Sequence, residues 1–277
     1  MKQFLTFLII AAVAASAWNS RAQGHYHLYV AADTTAQNGK LYFDDSALTP
    51  ADTFVSTLNY TNSGTYAGYY QPGYLTIAVL AQTPAHGGPD QGAPALGSWI
   101  FIRVVSVDGP AGGEFSFWDV GAANPTFVVP CGTTAGTNSY RASENDGSAG
   151  TDPYGHIHGR AFAANKPGLY TIGFQAFDNS TNGAGGGPIQ SPSDIYYFRW
   201  QAGVIIKSLD ASGGAATATF GATGGKNFSL QYTGNPASGQ WQSADGVVSG
   251  DDHFQTLTDP AATNSARFYR IVVMPAD

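Results

Sequence analysis

Gly168-Leu169-Tyr170-Thr171-Ile172-Gly173-Phe174-Gln175-Ala176-Phe177-Asp178 decides the fold. Leu169, Thr171, Gly173 and Gln175 alternate with Tyr170, Ile172, Phe174 and Ala176. A period of two puts one set on each face of a strand, which implies a sheet with one buried face. Similar runs recur outward on both sides. Residues 75–81, 99–107, 114–120, 126–129, 156–162 and 194–201 read as strands. Residues 25–30 and 40–43 read as a hairpin turning at Gln37-Asn38-Gly39. The mature chain shows no helical periodicity, and 49–57 reads as a turn. The expectation is an all-β chain, a β-sandwich of Ig-like or jelly-roll type.

A composition shift near Gly203 opens a second series of short runs at 204–209, 216–222, 227–232, 240–243, 253–257 and 267–273. Gly224-Gly225, Gly234-Asn235-Pro236 and Asp259-Pro260 punctuate them. This spacing predicts a second small β-sandwich. The expected organisation is a signal peptide at 1–22, a histidine-containing sandwich at 23–202 and a small β domain at 203–277. Three glycine-rich loops interrupt the larger unit at 85–97, 132–155 and 179–193, and structureless loops of that length are often functional.

Residues 1–22 have the form of a secretory signal. Lys2 supplies the positive start, an apolar run follows from Phe4, and Ser20-Arg21-Ala22 offers small residues at the cut. The run is shorter than the ~20 residues of a spanning helix. The expected product is secreted or extracytoplasmic, without a membrane span after cleavage.

The chain carries 19 acidic against 12 basic residues, and that balance excludes a phosphate-tracking nucleic-acid binder. A single cysteine, Cys131, excludes an intrachain disulfide and a Cys-rich zinc module. There is no Gly-x-Ser-x-Gly elbow and no His-Glu-x-x-His helix, so the sequence offers no recognised catalytic motif. Glu144-Asn145-Asp146-Gly147-Ser148 is rich in oxygens but lacks the alternation of a twelve-position calcium loop, and it reads as a turn.

Four of the six histidines form two His-x-His pairs, His25/His27 and His156/His158. Residues two apart on a strand share a face, with Cα atoms roughly 6.5–7 Å apart. Two such strands side by side would offer four imidazole nitrogens to a tetrahedral Zn2+ at ~2.0–2.1 Å per bond. Cu2+ or Ni2+ also suit imidazole, and a cut after Ala22 would place His25 third in Gln23-Gly24-His25, a square-planar arrangement for those ions. His86, on a loop, is a further candidate ligand. His253 reads as a solvated strand start. Tyr66, Tyr69, Tyr70 and Tyr74, with Trp99, Trp118 and Trp200, either pack the core or form platforms for sugars.

Asp152-Pro153-Tyr154-Gly155-His156-Ile157-His158-Gly159-Arg160-Ala161-Phe162, followed by Asn165-Lys166-Pro167-Gly168-Leu169-Tyr170, resembles a signature of the surface-anchored "choice-of-anchor M" domain of secreted actinobacterial proteins. Gly109-Pro110 to Trp118, and Gly24-His25-Tyr26-His27 with Gly39-Lys40-Leu41, are similar to segments of the same domain. The likeness spans roughly Gly24 to Gln201. Members often accompany zinc or manganese uptake transporters. The resemblance therefore implies extracytoplasmic metal handling, with a metal ion and transporter components or a cell-surface polymer as partners, and favours His25, His156 and His158 as ligands. This sequence departs from the pattern at His27, where the family has Asp, and at Gly159-Arg160, where it has Asn-Trp. The expected function is a metal scavenger or structural metal site. The rival expectation is a carbohydrate-binding or adhesion module. A zinc or copper enzyme with an open coordination position is the third.

Overall fold

The structure, a computed structural model, describes residues 26–71, 75–263 and 266–276. The signal segment, His25 and Tyr74 lie outside the described residues. The chain is all-β. Its larger part contains β1 (Tyr26–Ala32), β2 (Leu41–Asp44), β3 (Ser56–Tyr60), β4 (Tyr70–Gln71), β5 (Leu75–Val79) and β6 (Ile100–Asp108). β7 (Glu114–Trp118), β8 (Phe127–Pro130), β9 (Ser139–Arg141), β10 (Ala161–Ala164), β11 (Gly168–Asp178) and β12 (Tyr196–Ala202) follow. They form a three-stranded sheet, β2-β1-β5, and a nine-stranded sheet, β8-β7-β10-β4-β3-β12-β11-β6-β9.

The period of two in β11 is realised: Tyr170, Ile172, Phe174 and Ala176 are buried. They join Leu28, Val30, Ile77, Ile102, Phe115, Phe162 and Trp200 in one large core. The hairpin around Asn38 also forms, with β1 antiparallel to β2. Asn38 sits at φ 66°, in the left-handed region that asparagine tolerates better than most residues.

The C-terminal part comprises β13 (Ile206–Ser212), β14 (Ala215–Ala222), β15 (Lys226–Thr233), β16 (Gln242–Ser249), β17 (His253–Asp259) and β18 (Phe268–Pro275). Two three-stranded sheets, β13-β14-β17 and β16-β15-β18, enclose Ala218, Phe220, Ala222, Phe228, Leu230 and Leu257. The side-chain amide of Gln201 ties the larger part to this one. It accepts from Gly221 N at 3.0 Å and donates to Gly221 O at 3.2 Å. Tyr26 Oη donates to Asp252 at 2.7 Å across the same junction.

Several expectations need correction. Residues 156–162 do not make one strand, since β10 begins only at Ala161. Gly159 holds φ +81°, a left-handed backbone that ends any extended run before it. The stretch 49–57 is not only a turn. A short 3-10 turn precedes it at Ser46–Leu48, and β3 starts at Ser56 inside the large sheet. The long loop 132–155 contains β9. His253 is not a solvated strand start, because its side chain is 18% exposed and its ring stands edge-on to Phe54 at 5.5 Å. Trp118 and Trp200 are core residues, with Tyr66 and Tyr69 packed on Trp118. Among the described residues no helix is long and apolar enough to cross a membrane.

Candidate metal centre

Leu28 and Val30 of β1 are fully buried, so the alternation turns His27 and Tyr29 to the opposite face. There the two rings stack, centroids 5.5 Å apart. Thr76 of β5 lies in parallel register with His27. Three residues on, Val79 makes an isolated antiparallel bridge to Gly155. Its hydrogen bonds run from Val79 N to Gly155 O at 2.8 Å and back at 3.3 Å. The antiparallel sense sends the chain from Gly155 back along β5 toward the level of Thr76, and hence of His27. This backbone path brings a histidine at 156 to one at 27.

His27 Nε2 and His156 Nε2 lie 2.7 Å apart. Their ring centroids are 4.7 Å apart, those of His156 and His158 4.4 Å, and those of His27 and His158 6.5 Å. His27 and His156 are half-buried and His158 is exposed. A 2.7 Å contact between two imidazole nitrogens requires one to carry a proton and the other a lone pair. Two nitrogens on one tetrahedral ion at ~2.0–2.1 Å would stand roughly 3.3 Å apart. The pair must therefore open by roughly half an ångström to admit a cation. Among the described residues no three His, Cys, Asp or Glu side chains already stand in metal-binding geometry. The trio is a convergence of imidazoles, closed on itself by a hydrogen bond.

Carboxylates hold the loop that bears His156 and His158. Glu144 Oε1 accepts from His156 N at 2.9 Å, and Glu144 N donates to Tyr154 O at 2.8 Å. Asp152 accepts from Gln82 N at 2.8 Å, Thr83 N at 3.0 Å, Thr83 Oγ1 at 2.5 Å and Tyr154 N at 3.2 Å. His86 Nδ1 adds a fifth contact at 3.0 Å. Burial alone would raise the Asp152 carboxyl. The bonds from Gln82, Thr83, His86 and Tyr154 outweigh it and pull the group down to about 2. Burial pushes the Tyr154 phenol up, helped by the negative charge of Glu144 and Asp152 and by nearby Tyr29. The His86 ring lies flat on Tyr154, centroids 4.5 Å apart and 9° from parallel.

The structure thus brings together His27, His156 and His158 and places His86 on Asp152 and Tyr154. His25, two residues before His27, is outside the described residues. The inference that both pairs ride on strands is corrected for the second pair. His156 and His158 meet His27 from a loop. Asp152, Glu144, Tyr29 and Tyr154 were not singled out as site residues. One signal was in reach, since Glu144 is one of only two glutamates in the chain. The oxygen-rich segment around it is a turn, in which Asn145 Nδ2 donates to Ser98 O, Thr151 Oγ1 and Asp152 O. Compared with protein-family models, curated proteins and solved structures, the chain matches none.

Proposed function

We propose that this protein is an exported β-sandwich that binds a transition-metal ion, zinc first among them, as a scavenger or a structural metal site. One observation carries the reading. Imidazoles from segments 129 residues apart meet nitrogen to nitrogen at 2.7 Å, with a third ring beside them. Imidazole suits zinc, and also copper or nickel, while a site built from nitrogen disfavours calcium and magnesium. His27, His156 and His158 supply the ligands, with His25, two residues before His27 in the sequence, as a fourth. The signal-like segment at 1–22 and the resemblance to the choice-of-anchor M group support action outside the cytoplasm, with uptake components or a surface polymer as partners.

The test uses protein purified without a histidine tag. Elemental analysis is expected to return near-stoichiometric zinc. Zinc at a hundredfold over its Kd should stabilise the native state by about 2.7 kcal/mol, read as a rise in Tm. His27→Ala and the double variant His156→Ala/His158→Ala should each abolish that rise. A rise that persists in both would show that these imidazoles are not the ligands.

A carbohydrate-binding role draws on a different feature, a cleft of about 280 Å3 lined by Asp33, Lys40, Tyr42, Phe43, Asp194 and Tyr196. Of the tryptophans the sequence offered as platforms, Trp118 and Trp200 are buried in the core and Trp99 is half-buried. Polysaccharide pull-down that fails on Tyr42→Ala would favour this second reading.

A further inference from the structure

The zinc reading leaves His86 outside the trio, and its surroundings are built rather than incidental. His86 closes a 3-10 turn at Pro84–His86, and Gly87 follows at φ 97°. Its Nδ1 faces Asp152, whose side chain is only 7% exposed and is fixed by three backbone amides and a hydroxyl. A carboxylate acceptor makes Nδ1 the protonated nitrogen and leaves the lone pair on Nε2. That is the tautomer that ligating histidines adopt when a carboxylate holds their other nitrogen. Stacking on Tyr154 fixes the plane of the ring. The side chain is 44% exposed, so an ion can reach it from water.

The position of the pair matters as much as its tautomer. Asp152 opens the loop that carries His156 and His158 only four and six residues later. Tyr154, under His86, lies within electrostatic reach of Tyr29, which stacks on His27. The His86 ring and the trio are thus joined by the short loop from Asp152 to His158. A single imidazole with water in its other positions holds a divalent cation weakly, as a transfer position requires.

We propose that the Asp152–His86 pair is an outer docking position, where a hydrated divalent cation is first held before it passes to the imidazoles of His27, His156 and His158. This rests on the zinc reading, and the test separates the two. Apo protein is mixed with zinc carried by a chromophoric chelator, and the loading rate is followed in wild type and His86→Gln. Glutamine keeps a donor for Asp152 and removes the ligand nitrogen. The expected result is slower loading than in wild type, with final stoichiometry and zinc-saturated Tm unchanged. Wild-type loading by His86→Gln overturns the docking role and leaves the inner site standing. A lower final stoichiometry also overturns it, because His86 would then be a permanent ligand. If wild type takes up no zinc, both proposals fall. A rate effect at constant stability and stoichiometry separates docking from a merely structural contact, which would move the Tm.

Discussion

The C-terminal sandwich is folded around local hairpins, β13 with β14 and β15 with β16, and its core cluster holds six buried residues among those described. The larger part is assembled from distant pieces. β3 runs parallel to β12, β1 runs parallel to β5, and loop 152–158 is pinned to β5 by one bridge. Where hairpins suffice, the backbone pairs with its neighbours, and the buried carboxylate of Asp259 serves groups close by in the chain, Ala261 N, Arg267 and Tyr269. Where remote loops must be joined, carboxylates do the joining. Asp178 accepts from the amides of Trp99, Ser180, Ile189 and Gln190, and Asp152 from those of Gln82, Thr83 and Tyr154. The imidazoles converge in the part of the molecule that needed such anchors.

The largest expected effect would break this contrast or establish it. Phe228 is fully buried and packs on Phe220 at 5.3 Å. Phe228→Ala should cost about 3–5 kcal/mol, a large share of what so small a core can supply. Calorimetry is expected to show the C-terminal sandwich melting first, as its own transition, with the zinc-dependent rise of the larger part intact. A single transition shifted as a whole would mean that the Gln201 and Tyr26 contacts fuse the two parts energetically.

Next in size is a change at the hinge of the candidate site. A Cβ on Gly155 would fall on the carbonyl oxygen of Ala142. The loop must then leave β5, and His156 leaves with it. Gly155→Ala should cost about 2 kcal/mol and should lower zinc affinity as well, seen as a lower Tm and a smaller response to zinc. A loss of stability with the full zinc response retained would show that the trio does not depend on the bridge.

The comparison also explains what the sequence could tell. In the C-terminal part, turn residues bound most runs, and expected strands such as 216–222 and 253–257 fall inside β14 and β17, whereas 240–243 catches only the start of β16. β11 was legible for the same reason, because alternation over eleven residues is a local signal. The meeting of the histidines was not local. It depends on which edge of the β2-β1-β5 sheet a distant loop joins, and in which direction. His-x-His spacing pointed to residues that meet in the structure, His27 with His156 and His158, but by way of a strand that Gly159 forbids. Asp152 and Glu144 act through backbone amides, which carry no sequence signature. They were legible only as polar residues in a loop.

A smaller and more local effect follows from acid. The Asp152 carboxyl is depressed in the folded state, so its contribution is fully present above the unfolded value near 3.9 and is lost as pH falls through about 2. Amide exchange at Gln82, Thr83 and Tyr154 is expected to accelerate across that window after correction for intrinsic rates. The amides of β15, in the hairpin-built part, should show no such step of their own. Equal acceleration in both would mean that acid opens the molecule globally.

The smallest effect is expected at an interaction that looks prominent. Lys40 Nζ lies 2.8 Å from both carboxylate oxygens of Asp194, joining the start of β2 to the entry of β12. The side chains are 49% and 90% exposed. Water screens the pair, and ordering a lysine costs entropy, so Lys40→Met should change stability by no more than about 0.5 kcal/mol. Whatever difference is seen should vanish in about 0.5 M salt, where the screening length is only a few ångströms. The backbone of the same residue is a different matter. Lys40 N donates to Asp33 Oδ1 at 2.7 Å, and Lys40 bridges to Ser191. Both contacts survive the substitution because neither uses the side chain. If Lys40→Met cost as much as Gly155→Ala, the distinction between buried anchors and solvated ion pairs would fail within the larger part itself.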